Sequence, residues 1–319
     1  MTSTPLKFRI PFIAVFCAAF VLAACGGGGS SSPAPAPDIP IQATATVLVG
    51  GAKGDRDGSA AVAQFNGLTS IAAANGSLYV ADAGNVKVKK ISLDGTATTL
   101  LTYRSDSIAG SISPVSVAVN SSGTVYFRTN PTNISTTAIF QVVANGAAEA
   151  VRFPPDGSSR SLLGVDGGGV LYYDTNSQIT ALDVSGTTRL IGAPKPLSSF
   201  SVDASGTVYY STLPNISAGI TDDTVGTIDR AGKDTVRKRL PQIKFFLYTT
   251  NDDRGNLYFG SGSLISKVTE DGTMTTVIDL GKALSDVNPD SAVVRGMVWY
   301  AGALYVASED RILKVAPVN

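Results

Sequence analysis

Cys25 is the residue whose type and surroundings point most directly to chemistry. It follows Leu22-Ala23-Ala24, precedes four glycines, and shares the chain with one other thiol, Cys17. Histidine is absent. That removes a Ser-His-Asp triad and any histidine-based zinc site. The acids are 22 aspartates against three glutamates, Glu149, Glu270 and Glu309, and aspartate favours turns over helices. Two loops invite a ligand and fail on spacing. "GTIDRAGKD" (226–234) has five residues between its glycines where a phosphate loop has four, and it ends in Asp. It reads as strand and hairpin. "GDRDGS" (54–59) suggests a calcium loop, but the twelfth position from Asp55 is Asn66, not glutamate.

What must position Cys25 is the N-terminal segment. Lys7 and Arg9 precede an apolar run, Ile10 to Ala24, broken only by Pro11. The run is shorter than the roughly 20 residues of a bilayer span and reads as a secretory signal. Leu22-Ala23-Ala24-Cys25 resembles the lipobox of bacterial lipoproteins. The resemblance implies cleavage before Cys25 and diacylation of its thiol, with residues 1–24 as the lipoprotein signal peptide. Residues 25–42 then form a lipidated flexible linker of Gly, Ser, Pro and Ala. Gly26 stands where inner-membrane lipoproteins tend to carry Asp, so the resemblance implies an outer-membrane anchor. The expected location is the cell envelope, facing the periplasm or the surface.

The rest of the chain repeats one phrase, a glycine turn followed by a short aromatic strand. Its tyrosines are Tyr79, Tyr126, Tyr172, Tyr209, Tyr258 and Tyr305, recurring every 37 to 49 residues. That period with several strands per unit predicts a propeller. A second set of glycine turns, including 93–96 and 270–273, supplies the third-to-fourth strand hairpin. The last unit lacks a fourth strand, and "TATVLVG" (44–50) has strand character. The expected fold is all-β, a six-bladed β-propeller over residues 43–319, with the N-terminal strand completing the last blade. Closure removes two open sheet edges.

The segment 47–100 resembles NHL-repeat proteins through Asp57-Gly58, Phe65-Asn66, Tyr79-Val80-Ala81-Asp82, Asn85 and Ile91. It departs at Leu68, where the family usually has proline. The resemblance implies a six-bladed propeller and leaves the ligand open.

Equal numbers of cations and anions give no reason to expect nucleic acid. Propeller lyases that depend on histidine are poor matches. The tyrosines are expected to fill gaps between blades. Asp82 and Asn85 are expected to hold the turn after the second strand. The pairs Asp252-Asp253 and Glu270-Asp271 are expected to be solvated in hairpins. Extra residues at 130–138 and 213–226 fall between second and third strands, on the face shared with the blade-to-blade connections. Insertions there mark a binding surface. The ligand-binding residues expected are Arg104, Asn215, Asp222, Asp223, Phe246 and Arg295, with no metal, catalytic set or cofactor. The function expected is a monomeric, lipid-anchored binding or scaffold module for a protein, glycan or small ligand. The alternative is a calcium-type hydrolase or lactonase with Asp and Asn ligands at the propeller mouth.

Overall fold

The computed structural model describes residues 43–103, 112–131, 138–143, 146–152, 162–175, 178–192, 197–213, 222–240, 248–284 and 292–316. Cys25, the signal peptide and the linker lie outside them. Strand β1 (Thr44–Gly50) comes first. Blade 1 is β2 (Leu68–Ala74), β3 (Ser77–Asp82), β4 (Lys87–Ser92) and β5 (Ala97–Thr102). Blade 2 is β6 (Ile112–Val119), β7 (Val125–Pro131), β8 (Ile139–Val142) and β9 (Ala148–Arg152). Blade 3 is β10 (Leu163–Val165), β11 (Leu171–Thr175), β12 (Gln178–Leu182) and β13 (Thr188–Gly192). Blade 4 is β14 (Leu197–Val202), β15 (Val208–Thr212), β16 (Asp223–Ile228) and β17 (Asp234–Leu240). Blade 5 is β18 (Tyr248–Asn251), β19 (Leu257–Ser261), β20 (Leu264–Val268) and β21 (Met274–Asp279), followed by the one-turn helix α1 (Leu280–Ala283). Blade 6 is β22 (Gly296–Tyr300), β23 (Ala303–Ala307) and β24 (Arg311–Ala316), and β1 is its fourth strand.

All six sheets are four-stranded and antiparallel within the described pairs. β1 pairs with β24 from Thr44 opposite Ala316 to Gly50 opposite Arg311. The innermost strands β2, β6, β10, β14, β18 and β22 each contact the next, and β22 contacts β2. The expected six-bladed ring, closed by the N-terminal strand, is therefore what the chain forms. Each outermost strand carries a register break against its partner. Bulges of this kind twist an exposed edge away from foreign strands.

There is no single core. Six apolar clusters form, one in each gap between blades. The repeated tyrosines serve these gaps as expected. Tyr305 sits between blades 6 and 1, Tyr79 between 1 and 2, Tyr172 between 3 and 4, Tyr209 between 4 and 5, and Tyr258 between 5 and 6. Tyr126 packs, partly buried, between 2 and 3.

Three of the innermost hairpins, in blades 3, 4 and 5, share a further device. Asp166, Asp203 and Asp252 each open a turn, and one carboxylate oxygen accepts two main-chain N–H groups across it. The other oxygen accepts the hydroxyl of the tyrosine six residues later, at 3.3, 3.3 and 3.0 Å. Burial first, then the adjacent carboxylate, pushes the Tyr172 and Tyr209 hydroxyls up to about 12 and the Tyr258 hydroxyl higher still. Asp252 is therefore buried, which corrects the expectation that it would be solvated; only Asp253 beside it is exposed. Outer turns approach the neighbouring blade closely. A Cβ on Gly95 would lie 2.6 Å from the Leu48 carbonyl oxygen, and one on Gly272 2.7 Å from that of Arg237.

Closure can be tested on one strand. Val49 is 1% exposed inside the blade 6–blade 1 cluster, while Val47 on the same strand is 44% exposed. Val49→Asp buries an unpaired charge and is expected to cost more than about 4 kcal/mol. Val47→Lys is expected to stay within about 0.5 kcal/mol of the parent. Denaturant melts of the two variants check this.

Candidate functional site: the central channel

The six innermost strands are edge strands, so their inward N–H groups need partners other than a sheet neighbour. Small hydroxyl residues supply them from the preceding blade. The Val117 N–H donates to Ser70 Oγ at 3.2 Å. Thr249 donates both its N–H and its hydroxyl to Ser199 Oγ, each at 3.2 Å. The Trp299 N–H donates to Thr250 Oγ1 at 3.1 Å. Ser201 Oγ donates to Asn251 Oδ1 at 3.0 Å. These side chains line a cavity of about 930 Å3 on the ring axis. Ser116, Ser198, Phe200, Tyr248, Met297 and Trp299 complete much of the wall. Among the described residues, no lysine or arginine lines it. Asp166, Asp203, Asp252 and Asp253 stand at its hairpin end. The Trp299 ring stacks on Tyr258 at 5.6 Å with an interplanar angle of 10°. Its Nε1–H is buried with no hydrogen-bond partner among the described residues.

A second polar centre explains the "GDRDGS" loop. Lys89, in β4, is fully buried. Its ammonium lies 3.4 Å from Asp55, 3.2 Å from Asp57 and 3.7 Å from Asp82. It donates to the Gln64 carbonyl oxygen at 3.2 Å and sits 5.3 Å from the Phe65 ring centre. Lys87 reaches Asp55 at 2.6 Å. The loop's carboxylates thus surround a cation that the chain itself provides. Asp82 accepts the Asn66 N–H, and Asn85 bonds both Asp82 and the Gly54 carbonyl oxygen. The pair therefore holds the incoming loop 54–66, as well as the turn it was expected to hold. Burial alone would raise the Asp55 carboxyl; the bonds and charges of Lys87 and Lys89 outweigh it and hold the group below its ordinary value. Asp57 is likewise lowered: burial opposes, and the Thr99 N–H and Lys89 prevail. Burial pushes Asp82 up, against the pull of Asn66, Asn85 and Lys89.

Arg128 and Asp174 form a buried pair at 2.5 Å between blades 2 and 3. Arg128 also donates to the Leu162 carbonyl oxygen at 2.9 Å, and Asp174 accepts the Leu162 N–H at 2.7 Å. Leu162 lines the channel, so the pair fixes the start of the third channel strand. Sequence reasoning did not single it out. The signal was available: both residues stand two places after the repeated tyrosine, 46 residues apart.

Of the ligand residues expected from sequence, Arg104, Asn215 and Phe246 lie outside the described residues. Asp222 is half-buried just before β16. Asp223 is the first residue of β16 and fully buried, so the strand takes residues 223–226 that were expected in the connecting loop. Arg295 precedes β22 and pairs with Glu309 at 3.0 Å, both side chains substantially exposed. Among the described residues, no group of three or more His, Cys, Asp or Glu side chains is arranged to hold a metal ion. No helix among them is long and apolar enough to cross a membrane.

No family model matches the chain, and no curated protein matches it. Solved structures do. An auxiliary nutrient-binding protein from Bacteroides thetaiotaomicron matches with TM-score 0.62 at 11% identity, over 86% of this chain and 76% of that one. A catalytically inactive histidine-to-alanine variant of virginiamycin B lyase from Staphylococcus aureus matches with TM-score 0.56 at 15% identity, over 87% of this chain and 100% of that one. A gluconolactonase from Xanthomonas campestris matches with TM-score 0.53 at 14% identity, over 79% of this chain and 86% of that one. At these identities the likeness establishes the fold. Binding and hydrolytic proteins both use it.

Two predictions follow from the Lys89 cage. Lys89→Met leaves three carboxylates around a lost cation and is expected to cost about 3–5 kcal/mol in urea melts. Asp55 and Asp57 have lowered folded-state values, so their contribution is present above the unfolded value near 3.8 and lost as pH falls through the folded one. The double variant Asp55→Asn, Asp57→Asn is expected to be less stable at neutral pH and to show a shallower loss of stability on acidification. Thermal melts from neutral pH down to about pH 2 measure both slopes.

Proposed function

We propose that the chain is a lipid-anchored cell-envelope propeller that binds a ligand without turning it over. The channel carries this reading: its wall is main chain, small hydroxyls and aromatic rings, which can hold a molecule. The chain has no histidine to act as base for its hydroxyls, and among the described residues no group of carboxylates is arranged to hold a metal.

Anchoring at Cys25 rests on the lipobox resemblance and an outer-membrane position on Gly26. The propeller's own geometry suits a tether. β1 starts opposite Ala316, at the end of the ring that carries the hairpin turns. A linker ending at residue 42 would join the propeller at that end, and the opposite face is the one proposed for a protein or glycan partner. Of the ligand residues expected from sequence, Asp222 and Arg295 are assigned to that face. The residues on which the NHL likeness of the first blade rests, Asp57, Phe65, Asn66, Asp82 and Asn85, enclose or brace the Lys89 cage.

The second reading, a metal-dependent hydrolase with Asp and Asn ligands, is favoured by the gluconolactonase among the structural neighbours. A lyase reading is disfavoured, since this chain has no histidine and the neighbouring lyase's inactive variant is one that lost a histidine. Thermal melting of the full chain in detergent, first in chelator and then in calcium, magnesium or manganese, separates binding module from hydrolase. The expected result is no metal-specific rise. A saturating rise at one ion per chain, with turnover of a lactone, would replace this proposal with the hydrolase. Palmitate labelling in cells is expected for the parent and to be lost in Cys25→Ala.

A further inference from the structure

We infer that the channel is built for a neutral polyhydroxylated ligand, a sugar or polyol, and against anions. The inference rests on the binding reading above and names the ligand class.

The wall hydroxyls are already partly engaged. Ser70, Ser199 and Thr250 use their oxygens to accept main-chain N–H groups of the next blade. Among the described residues their own protons go to no other group. A serine hydroxyl has one proton to give and two lone pairs. Ser199 accepts two bonds and Ser70 and Thr250 one each, and in all three the hydroxyl proton is left for an occupant. Blades 1, 4 and 5 thus turn donors toward one axis. An occupant must therefore supply acceptors at several separated points.

Charge narrows the class. An anion would be the strongest acceptor, but among the described residues the lining holds no cation to pair with it, and four aspartates stand at the hairpin end. An anion would leave water unpaired and meet a negative field. Three of those aspartates already accept two main-chain N–H groups and a tyrosine hydroxyl each. Their bonding is consumed by the turns, which leaves their charge as a filter and gives a cation little to bind. Neutral hydroxyls and ring oxygens meet every remaining requirement. Phe200, Tyr248 and Trp299 add apolar surface to the lining. The cavity, about 930 Å3, lies at the upper part of the usual range for small-ligand sites.

The test is calorimetric titration of the full chain in a non-glycosidic detergent with maltose, cellobiose and sorbitol as neutral probes. Glucuronate is the anionic probe and spermidine the cationic one. One neutral probe is expected to bind at one per chain. Ser70→Ala and Ser199→Ala are each expected to weaken it by about five-fold, the effect of one hydrogen bond. Ser199→Thr, which keeps a hydroxyl, is expected to restore most of the affinity. Melts of the ligand-free variants separate lost binding from lost folding. If both alanine variants fail to fold, Thr250→Val keeps the side-chain shape and removes the third hydroxyl. Tighter binding of glucuronate than of any neutral probe overturns the inference. So does binding of spermidine alone, or of no probe. In the last case the wider binding reading is judged separately, by crosslinking the anchored protein to a partner at the loop face in cells.

Discussion

One pairing organises the molecule: β1 against β24. The last three strands of the chain make an incomplete sheet, and the first strand completes it. Without that pairing the ring would end in an open β24 edge, and the cluster around Val49, Phe65 and Leu68 would lose part of its cover. With it, six sheets share one axis. The inner strands are then forced to face each other across a channel, and everything said about a ligand follows from that confinement.

Confinement creates a polar problem that the chain solves locally. Inner strands have no sheet neighbour on the axial side, so their N–H groups need acceptors in a narrow space. Serine and threonine fit where a longer acceptor would fill the channel. Ser70, Ser199 and Thr250 accept from the next blade and so couple adjacent blades directly. The same bonds leave donor protons along the wall. Structural need and binding capacity come from the same hydroxyls, which is why their loss is expected to act on both.

Much of this was legible in the sequence. Glycine turns need positive φ, aromatics fill wedge-shaped gaps, and both recur with the blade, so blade number and closure could be read directly. What was not legible was pairing at a distance. The loop at Asp55 was measured for calcium by its own spacing, but its cation is Lys89, which arrives from a strand more than thirty residues later. Asp252 reads as an exposed turn residue until the tyrosine six places on is seen to turn back onto it. Arg128 and Asp174 are individually plain charged residues in strands. Only their shared place in the repeat announces a contact between consecutive blades. The channel hydroxyls were hidden for another reason: serine and threonine are abundant throughout and carry no period of their own.

The account stands on the channel as the place of binding. Hydrogen–deuterium exchange of the full chain, with and without a saturating neutral sugar, tests that most directly. The account predicts coincident slowing in the inner-strand segments 69–74, 115–121, 162–167, 198–205, 248–253 and 296–299, drawn from all six blades. Slowing confined to outer strands or to one blade's loops, with the inner strands unchanged, would contradict it.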